Sequence, residues 1–365
     1  MIIIYGAEGS KMIFRNIEFH NVAELEAIPG MGGWRLQRFP EKVRNCLGHK
    51  EHERGRFYSQ KSVGCEIRFA TDAKFVRVSL SAIEQDGTVL VYKGDFFHSF
   101  HTLKAGVVTT LHLENPPKFS SVKAECLKGR LFSPNIWRLQ FGKDTGISFH
   151  HIDSFGHELR PPKEDEMPKL TWLAYGSSIT FGGDVLLYSN AYIEQAARRL
   201  KVNVLNKGIA GSCFCDEAIA NYIADCKEWD FVTLELGVNM RGRFTPEEYE
   251  KRVRYLLKKI VEKRPGKPIV AIGIYPNGSL YSLDEENPIT RDNLVFDELL
   301  KRIVREMDSK YIYYIDGKDI LTDFSGLSSD LLHPSDYGHI IMGENLSRIL
   351  KKLLGDIFPS LIYTV

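Results

Sequence analysis

Apolar and polar positions along this chain follow two different rhythms. Between about residues 57 and 155, short runs alternate apolar with polar: Cys65-Glu-Ile-Arg-Phe69, Phe75-Val-Arg-Val-Ser-Leu80, Thr88-Val-Leu-Val-Tyr92 and Val107-Val-Thr-Thr-Leu-His-Leu113. Successive strand side chains point to opposite faces, so such runs predict half-buried strands. Turn signals at Gln85-Asp-Gly87 and Asn115-Pro-Pro117 separate them. Many short strands at this spacing predict an antiparallel, jelly-roll-like β-sandwich.

After about residue 169 the rhythm changes. Apolar runs at Leu170–Tyr175, Val202–Leu205, Phe231–Leu236, Ile269–Ile274 and Tyr311–Ile315 alternate with long amphipathic segments. The amphipathic segments are Ser189–Leu200, Thr245–Lys263, Asn293–Met307 and Ser335–Leu354. Continuous apolar strands between helices predict a parallel sheet covered on both faces, a three-layer α/β/α domain. Between the halves, Arg160-Pro-Pro-Lys-Glu-Asp-Glu-Met-Pro168 is charged and flanked by proline, the composition of a linker. The expected division is a dispensable leader at 1–11, a sandwich at 12–160, a linker at 161–168, the α/β domain at 169–358 and a tail at 359–365.

Bulk properties narrow the function classes. The 365 residues suffice for two domains with cores of their own. With 48 basic against 47 acidic residues there is no electrostatic footprint for nucleic acid. No stretch approaches the roughly 20 apolar residues of a membrane span, and the start lacks the basic and long apolar regions of a signal peptide. Six cysteines without knuckle spacing read as buried thiols and suit a reducing cytoplasm. His150-His151 alternate faces on a strand and do not make a paired metal site, so no metal is expected. Homo-oligomer formation is left open.

Chemistry concentrates at the ends of the apolar runs in the second half. Tyr175-Gly-Ser-Ser-Ile-Thr180 delivers serines to a sharp turn after the first run. Asn206-Lys-Gly-Ile-Ala-Gly211 follows the second, and Gly237-Val-Asn239 the third. Asp330-Leu-Leu-His-Pro334 precedes the last helical segment. In an open parallel sheet the carboxyl ends of the strands share one edge, so these four segments are expected to meet there. A serine hydroxyl needs a base to take its proton, and histidine, with a pKa of about 6.5, suits the task. A carboxylate beside the histidine holds its tautomer, and an oxyanion then needs N–H donors. Of eleven histidines, nine lie at or before His157, leaving His333 and His339 in the second half. His339 falls inside the last helical segment, which makes His333 the candidate base and Asp330 its partner.

These blocks resemble the SGNH/GDSL hydrolase superfamily. Gly176-Ser-Ser-Ile179 is similar to the family's Gly-Asp-Ser-Leu/Ile block, which implies Ser178 as nucleophile. Gly208-Ile-Ala-Gly-Ser212 implies Gly211, and the Gly-x-Asn block implies Asn239, as oxyanion donors beside the Ser178 N–H. Asp-x-x-His-Pro implies Asp330 and His333 as the remainder of the triad. The match spans roughly 170–355, in the family's order. The resemblance implies a flavodoxin-like α/β/α domain and serine acyl transfer without metal or organic cofactor. Ser177 departs from the family's aspartate. The Gly-Ser-Ser-Ile-Thr form is similar to a bacterial branch that often carries an N-terminal β-sandwich and includes carbohydrate deacetylases. That branch implies esterase activity on a small-molecule or oligosaccharide acyl ester. An acyltransferase or thioesterase using the same residues, and a non-catalytic carbohydrate-binding protein, are the alternatives. Arg241 and Arg243, just past Asn239, and Tyr275, at the end of the fourth apolar run, are candidate substrate-binding residues, with a solvated arginine pair as the competing reading. Asn206 reads as a loop brace or as a simple turn residue.

Overall fold

The structure, a computed structural model, describes residues 2–5, 11–48, 53–127, 129–284 and 286–362. It divides into two compact units: 1–41 with 59–169, and 42–58 with 170–364. The first unit holds, among the described residues, two six-stranded antiparallel sheets. The strands Glu66–Ala70, Phe75–Ala82, Gly87–Lys93 and Thr109–Glu114 stand where alternation predicts them. Their inward residues, among them Ile67, Phe69, Val76, Val78, Leu80, Val89 and Val91, fill the space between the sheets with Trp137, Leu139 and Phe149.

The first unit is wider than the sequence division at 12–160. Within the stretch read as a leader, Ile3–Tyr5 pairs antiparallel with Glu24–Ala27, while Met1 and residues 6–10 lie outside the described residues. The segment read as a linker lies within this unit. Arg160 grips Glu166 through two hydrogen bonds of 2.6 and 2.7 Å, and the Glu166 carbonyl accepts from the Ser133 N–H. The described residues of 42–58, in turn, belong to the second unit. The helices there, Glu41–Arg44 and Arg54–Ser59, are too short for periodicity to announce such a crossing.

The second unit is a five-stranded parallel sheet. In spatial order its strands are Asn203–Asn206, Thr171–Tyr175, Phe231–Glu235, Ile269–Ile272 and Ile312–Ile315, the 2-1-3-4-5 sequence of flavodoxin-like folds. Trp172, Ala174, Val204, Phe231, Val270, Ile272 and Ile315 pack one face against the helices Tyr192–Leu200 and Asp336–Leu354. The helices Glu217–Asp225, Pro246–Lys263 and Pro288–Glu306 complete the layers. Within the stretch read as a tail, Leu361 is fully buried in the same core.

Two helices differ from the periodicity. Pro288–Glu306 begins five positions earlier than expected, because the Asn287 side chain accepts from the Ile289 N–H at 2.9 Å and Pro288 is set for a first helical turn. Glu217–Asp225 was not expected. Its buried stripe of Ile219, Ala220, Ile223 and Ala224 is half alanine and gives a weak hydrophobic signal.

One polar cluster is sealed inside the first unit. Glu66 is 2% exposed and accepts from Arg138 at 2.6 and 3.0 Å, from Arg68 at 2.7 Å and from Gln140 at 3.2 Å. Burial pushes its carboxyl up, but the two guanidinium groups outweigh that and hold it far below its ordinary value. A carboxylate depressed in this way stabilises the fold above its unfolded-state pKa and loses that contribution as pH falls. Glu66→Gln removes the carboxylate that two buried guanidinium groups share, leaving Arg68 its second pairing with Glu18 at 3.2 Å. Urea denaturation is therefore expected to register a loss of about 3 kcal/mol or more at neutral pH. The deficit relative to wild type should shrink on acidification below about pH 4.

Candidate active site

The site lies at the carboxyl edge of the parallel sheet. The strand Thr171–Tyr175 ends in Gly176 and Ser177, and the chain turns at once into the short helix Ser178–Phe181. Ser177 is fully buried and its Oγ accepts from the Ile179 N–H at 3.1 Å, capping that helix. Ser178 is half-buried and presents its hydroxyl outward, 2.7 Å from His333 Nε2. Of the two neighbouring serines, Ser178 is therefore the one that meets the histidine.

His333 is held by a closed local loop. Asp330 Oδ2 accepts from His333 Nδ1 at 2.6 Å, and its Oδ1 accepts from the backbone N–H groups of Leu332 and His333 at 2.9 and 3.0 Å. Leu331, at φ 54°, turns left-handed to close the loop, a conformation costly for a branched side chain. Backbone bonds secure it: Leu331 N–H to Ser328 carbonyl at 2.9 Å, and Ser328 N–H to His333 carbonyl at 2.7 Å. Partial burial pushes the Asp330 carboxyl up, yet the hydrogen bonds from His333 and Leu332 hold it below its ordinary value. Asp330 thus stays an anion facing Nδ1–H, which leaves Nε2 as the acceptor toward Ser178.

The remaining blocks fall beside this line. Gly211, at φ 68°, follows the strand Asn203–Asn206. Among the described residues, neither its N–H nor that of Ser178 donates a hydrogen bond. Asn239 follows Phe231–Glu235; its Oδ1 accepts from the Cys213 N–H at 3.0 Å, which fixes the amide and leaves the Nδ2 hydrogens as donors. Asn206 braces two turns. Its Nδ2 donates to the Thr180 carbonyl at 3.2 Å and to the Tyr188 hydroxyl at 2.8 Å, and its Oδ1 accepts from the Gly208 N–H at 2.8 Å.

Two of the candidate substrate-binding residues are turned inward. Arg241 is 8% exposed, and its guanidinium is spent on the Val238 carbonyl, Asn277, Ser279 and Asn293 at 2.6–3.1 Å. It ties together the loops after the third and fourth strands. Tyr275 is 2% exposed and meets Tyr192 edge-on at 6.1 Å. Arg243 is exposed, with Phe214 beneath it at 5.9 Å. His339 is fully buried: its Nδ1 accepts from the Tyr192 N–H at 3.2 Å and its Nε2 donates to the Gly183 carbonyl at 2.9 Å. Its place is structural.

The structure also brings in residues that the sequence did not single out. Arg54, from the helix Arg54–Ser59, lies over Gly211; a Cβ at that glycine would stand 3.4 Å from its Nη1. Asp184 offers a carboxylate oxygen within 4.8 Å of donor atoms of Asp330 and His333, two groups that already share a hydrogen bond. Glu235 ends the third strand beneath the serine turn. Arg54 sits far upstream of every motif, and Glu235 is one polar letter in an apolar run, so neither carried a sequence signal.

A flavodoxin-like α/β/α domain with this edge, preceded by a β-sandwich unit, defines the class. Residues 171–351, the parallel-sheet domain, match the model of the GDSL-like lipase/acylhydrolase family. Solved structures of the same fold include a salicylyl-acyltransferase from a tetracycline biosynthetic pathway. It is 16% identical, with 96% of this chain and 98% of that one covered at a TM-score of 0.76. Family two carbohydrate esterases share the fold as well. That of Cellvibrio japonicus is 11% identical, with 98% and 99% covered and a TM-score of 0.58. That of Clostridium thermocellum, in complex with cellohexaose, is 14% identical, with 80% and 93% covered and a TM-score of 0.57. At these identities the likeness is one of fold. No curated protein matches the chain in sequence.

The brace at Asn206 yields a test of the architecture. Asn206→Ala orphans buried groups on both turns, and thermal or urea unfolding is expected to show a loss of about 2 kcal/mol.

Proposed function

We propose that the protein is a serine esterase that hydrolyses short acyl esters, with acetyl groups on a carbohydrate as the favoured substrate. The observation that carries this reading is the unbroken line from Ser178 Oγ to His333 Nε2 at 2.7 Å and from His333 Nδ1 to Asp330 Oδ2 at 2.6 Å. In the proposed reaction Ser178 Oγ attacks the ester carbonyl carbon as its proton passes to His333 Nε2. Negative charge collects on the former carbonyl oxygen, where the Ser178 and Gly211 N–H groups and the Asn239 amide serve as donors, each worth about 3 kcal/mol. The imidazolium, steadied by Asp330, protonates the departing alcohol oxygen as the C–O bond breaks. Water then attacks the acyl-serine, giving its proton to His333, and the acid leaves. No step calls on a metal or organic cofactor.

Carbohydrate esters are favoured because family two carbohydrate esterases share the fold across most of both chains. Transfer of the acyl group to an alcohol acceptor is the second reading. It is favoured by the salicylyl-acyltransferase, whose fold accounts for nearly the whole of this chain. The two differ only in what reaches the acyl-serine, so adding alcohol acceptors to the assay and analysing the products separates them.

Ser178→Ala should lower p-nitrophenyl acetate turnover about 10⁴-fold, and Asp330→Asn about 10³-fold, with the fold retained by circular dichroism. Measured across acyl chain lengths and acetylated sugars, wild-type turnover is expected to peak at acetyl esters. Undiminished turnover in Ser178→Ala would remove the mechanism.

A further inference from the structure

Below the nucleophile turn lies a carboxylate that the proposed reaction does not use. Glu235 is the last residue of the strand Phe231–Glu235, which is hydrogen-bonded alongside Thr171–Tyr175. It is 1% exposed. Its Oε2 accepts from the Ser177 N–H at 2.6 Å and from the Thr180 hydroxyl at 3.1 Å. Those two donors bracket Ser178 in the chain, one on each side. Thr180 Oγ1 spends its proton on Glu235 and so accepts from the Tyr192 hydroxyl, 2.8 Å away. A chain of hydrogen bonds thus runs from Tyr192 through Thr180 to Glu235 and on to the Ser177 backbone.

The approach requires a missing side chain. A Cβ on Gly176 would collide with both Thr180 Oγ1 and Glu235 Oε2. Ser177, where the family block places an aspartate, uses its own hydroxyl to cap the short helix. The carboxylate under this turn therefore comes from the neighbouring strand.

We propose that Glu235 is the positioning residue of the nucleophile: its buried carboxylate ties the Ser177 N–H to the Thr180 hydroxyl and so sets where the Ser178 hydroxyl stands relative to His333. This inference rests on the esterase reading, with Ser178 as nucleophile. Glu235 does not touch substrate. Its effect passes through the turn, where a misplacement of about 1 Å costs about 100-fold in rate. The groups that surround it are His333, Arg241, Tyr192, Tyr275 and Cys213. Burial raises its carboxyl to about 7, and hydrogen bonds from Ser177 and Thr180 together with the nearby His333 work against that rise.

The test compares Glu235→Ala, Glu235→Gln and Thr180→Val for p-nitrophenyl acetate turnover, for labelling of Ser178 by a fluorophosphonate, and for thermal unfolding. Glu235→Ala removes the tie and is expected to lower kcat and the labelling rate about 100-fold with KM nearly unchanged. Glu235→Gln keeps an acceptor oxygen at the same reach and is expected to stay within about fivefold of wild type. Thr180→Val cuts one arm of the tie and should fall between them, which keeps the question answerable if Glu235→Ala does not fold. The inference is overturned by a folded Glu235→Ala, or a Thr180→Val, with wild-type kcat and labelling. It is equally overturned if Glu235→Gln is as impaired as Glu235→Ala, which would assign the effect to charge. Ser178→Ala in the same assays separates the two claims, because loss of activity there with no effect at Glu235 sinks this inference and leaves the esterase reading standing.

Discussion

Every strand of a parallel sheet ends its run on the same edge, and the candidate site of this protein hangs on that constraint. Side chains from segments more than a hundred residues apart need no long loop to find one another there. Each has only to follow its strand by a few positions. Ser178, Gly211 and Asn239 do so after three adjacent strands, in the spatial order second, first, third. His333 arrives from the other direction, at the entrance to the helix Asp336–Leu354, which lies across the same face as Trp172 and Val270. His333 thus stands three residues ahead of a helix that hydrophobic contacts fix to the sheet.

Much of this was legible in the sequence, for a physical reason. Strands buried on both faces have to be apolar throughout, so Leu170–Tyr175 and Ile269–Ile274 stood out as continuous runs, and the polar letters that followed marked the edge. The sandwich strands were legible through the opposite property, alternation. The blocks at 176–179, 208–212, 237–239 and 330–334 were visible because each lies within a few residues of a strand end or helix start.

What stayed hidden depends on tertiary return. Arg54 reaches Gly211 only because its helix, Arg54–Ser59, belongs to the second unit, and a helix of six residues carries no pattern that announces this. Glu235 looked like an interruption in Thr233-Leu-Glu-Leu236; its meaning appears only when Ser177 and Thr180 are seen folding over it. Arg241 and Tyr275 show the converse. Their position near the edge suggested contact with substrate, but an arginine with four internal acceptors is a rivet between loops. Proximity in sequence to a site residue says nothing about the direction of a side chain.

The four-residue loop that carries His333 has a further mechanical meaning. Both oxygens of Asp330 are engaged within the loop itself, on the imidazole and on the backbone N–H groups of Leu332 and His333. His333 and Asp330, the proposed base and its orienting carboxylate, accordingly form one part wired within itself. From this part a single 2.7 Å contact reaches the Ser178 hydroxyl. The segment resembles a prewired plug: imidazole and carboxylate come as one unit, and the contact with the serine is the one made from outside it.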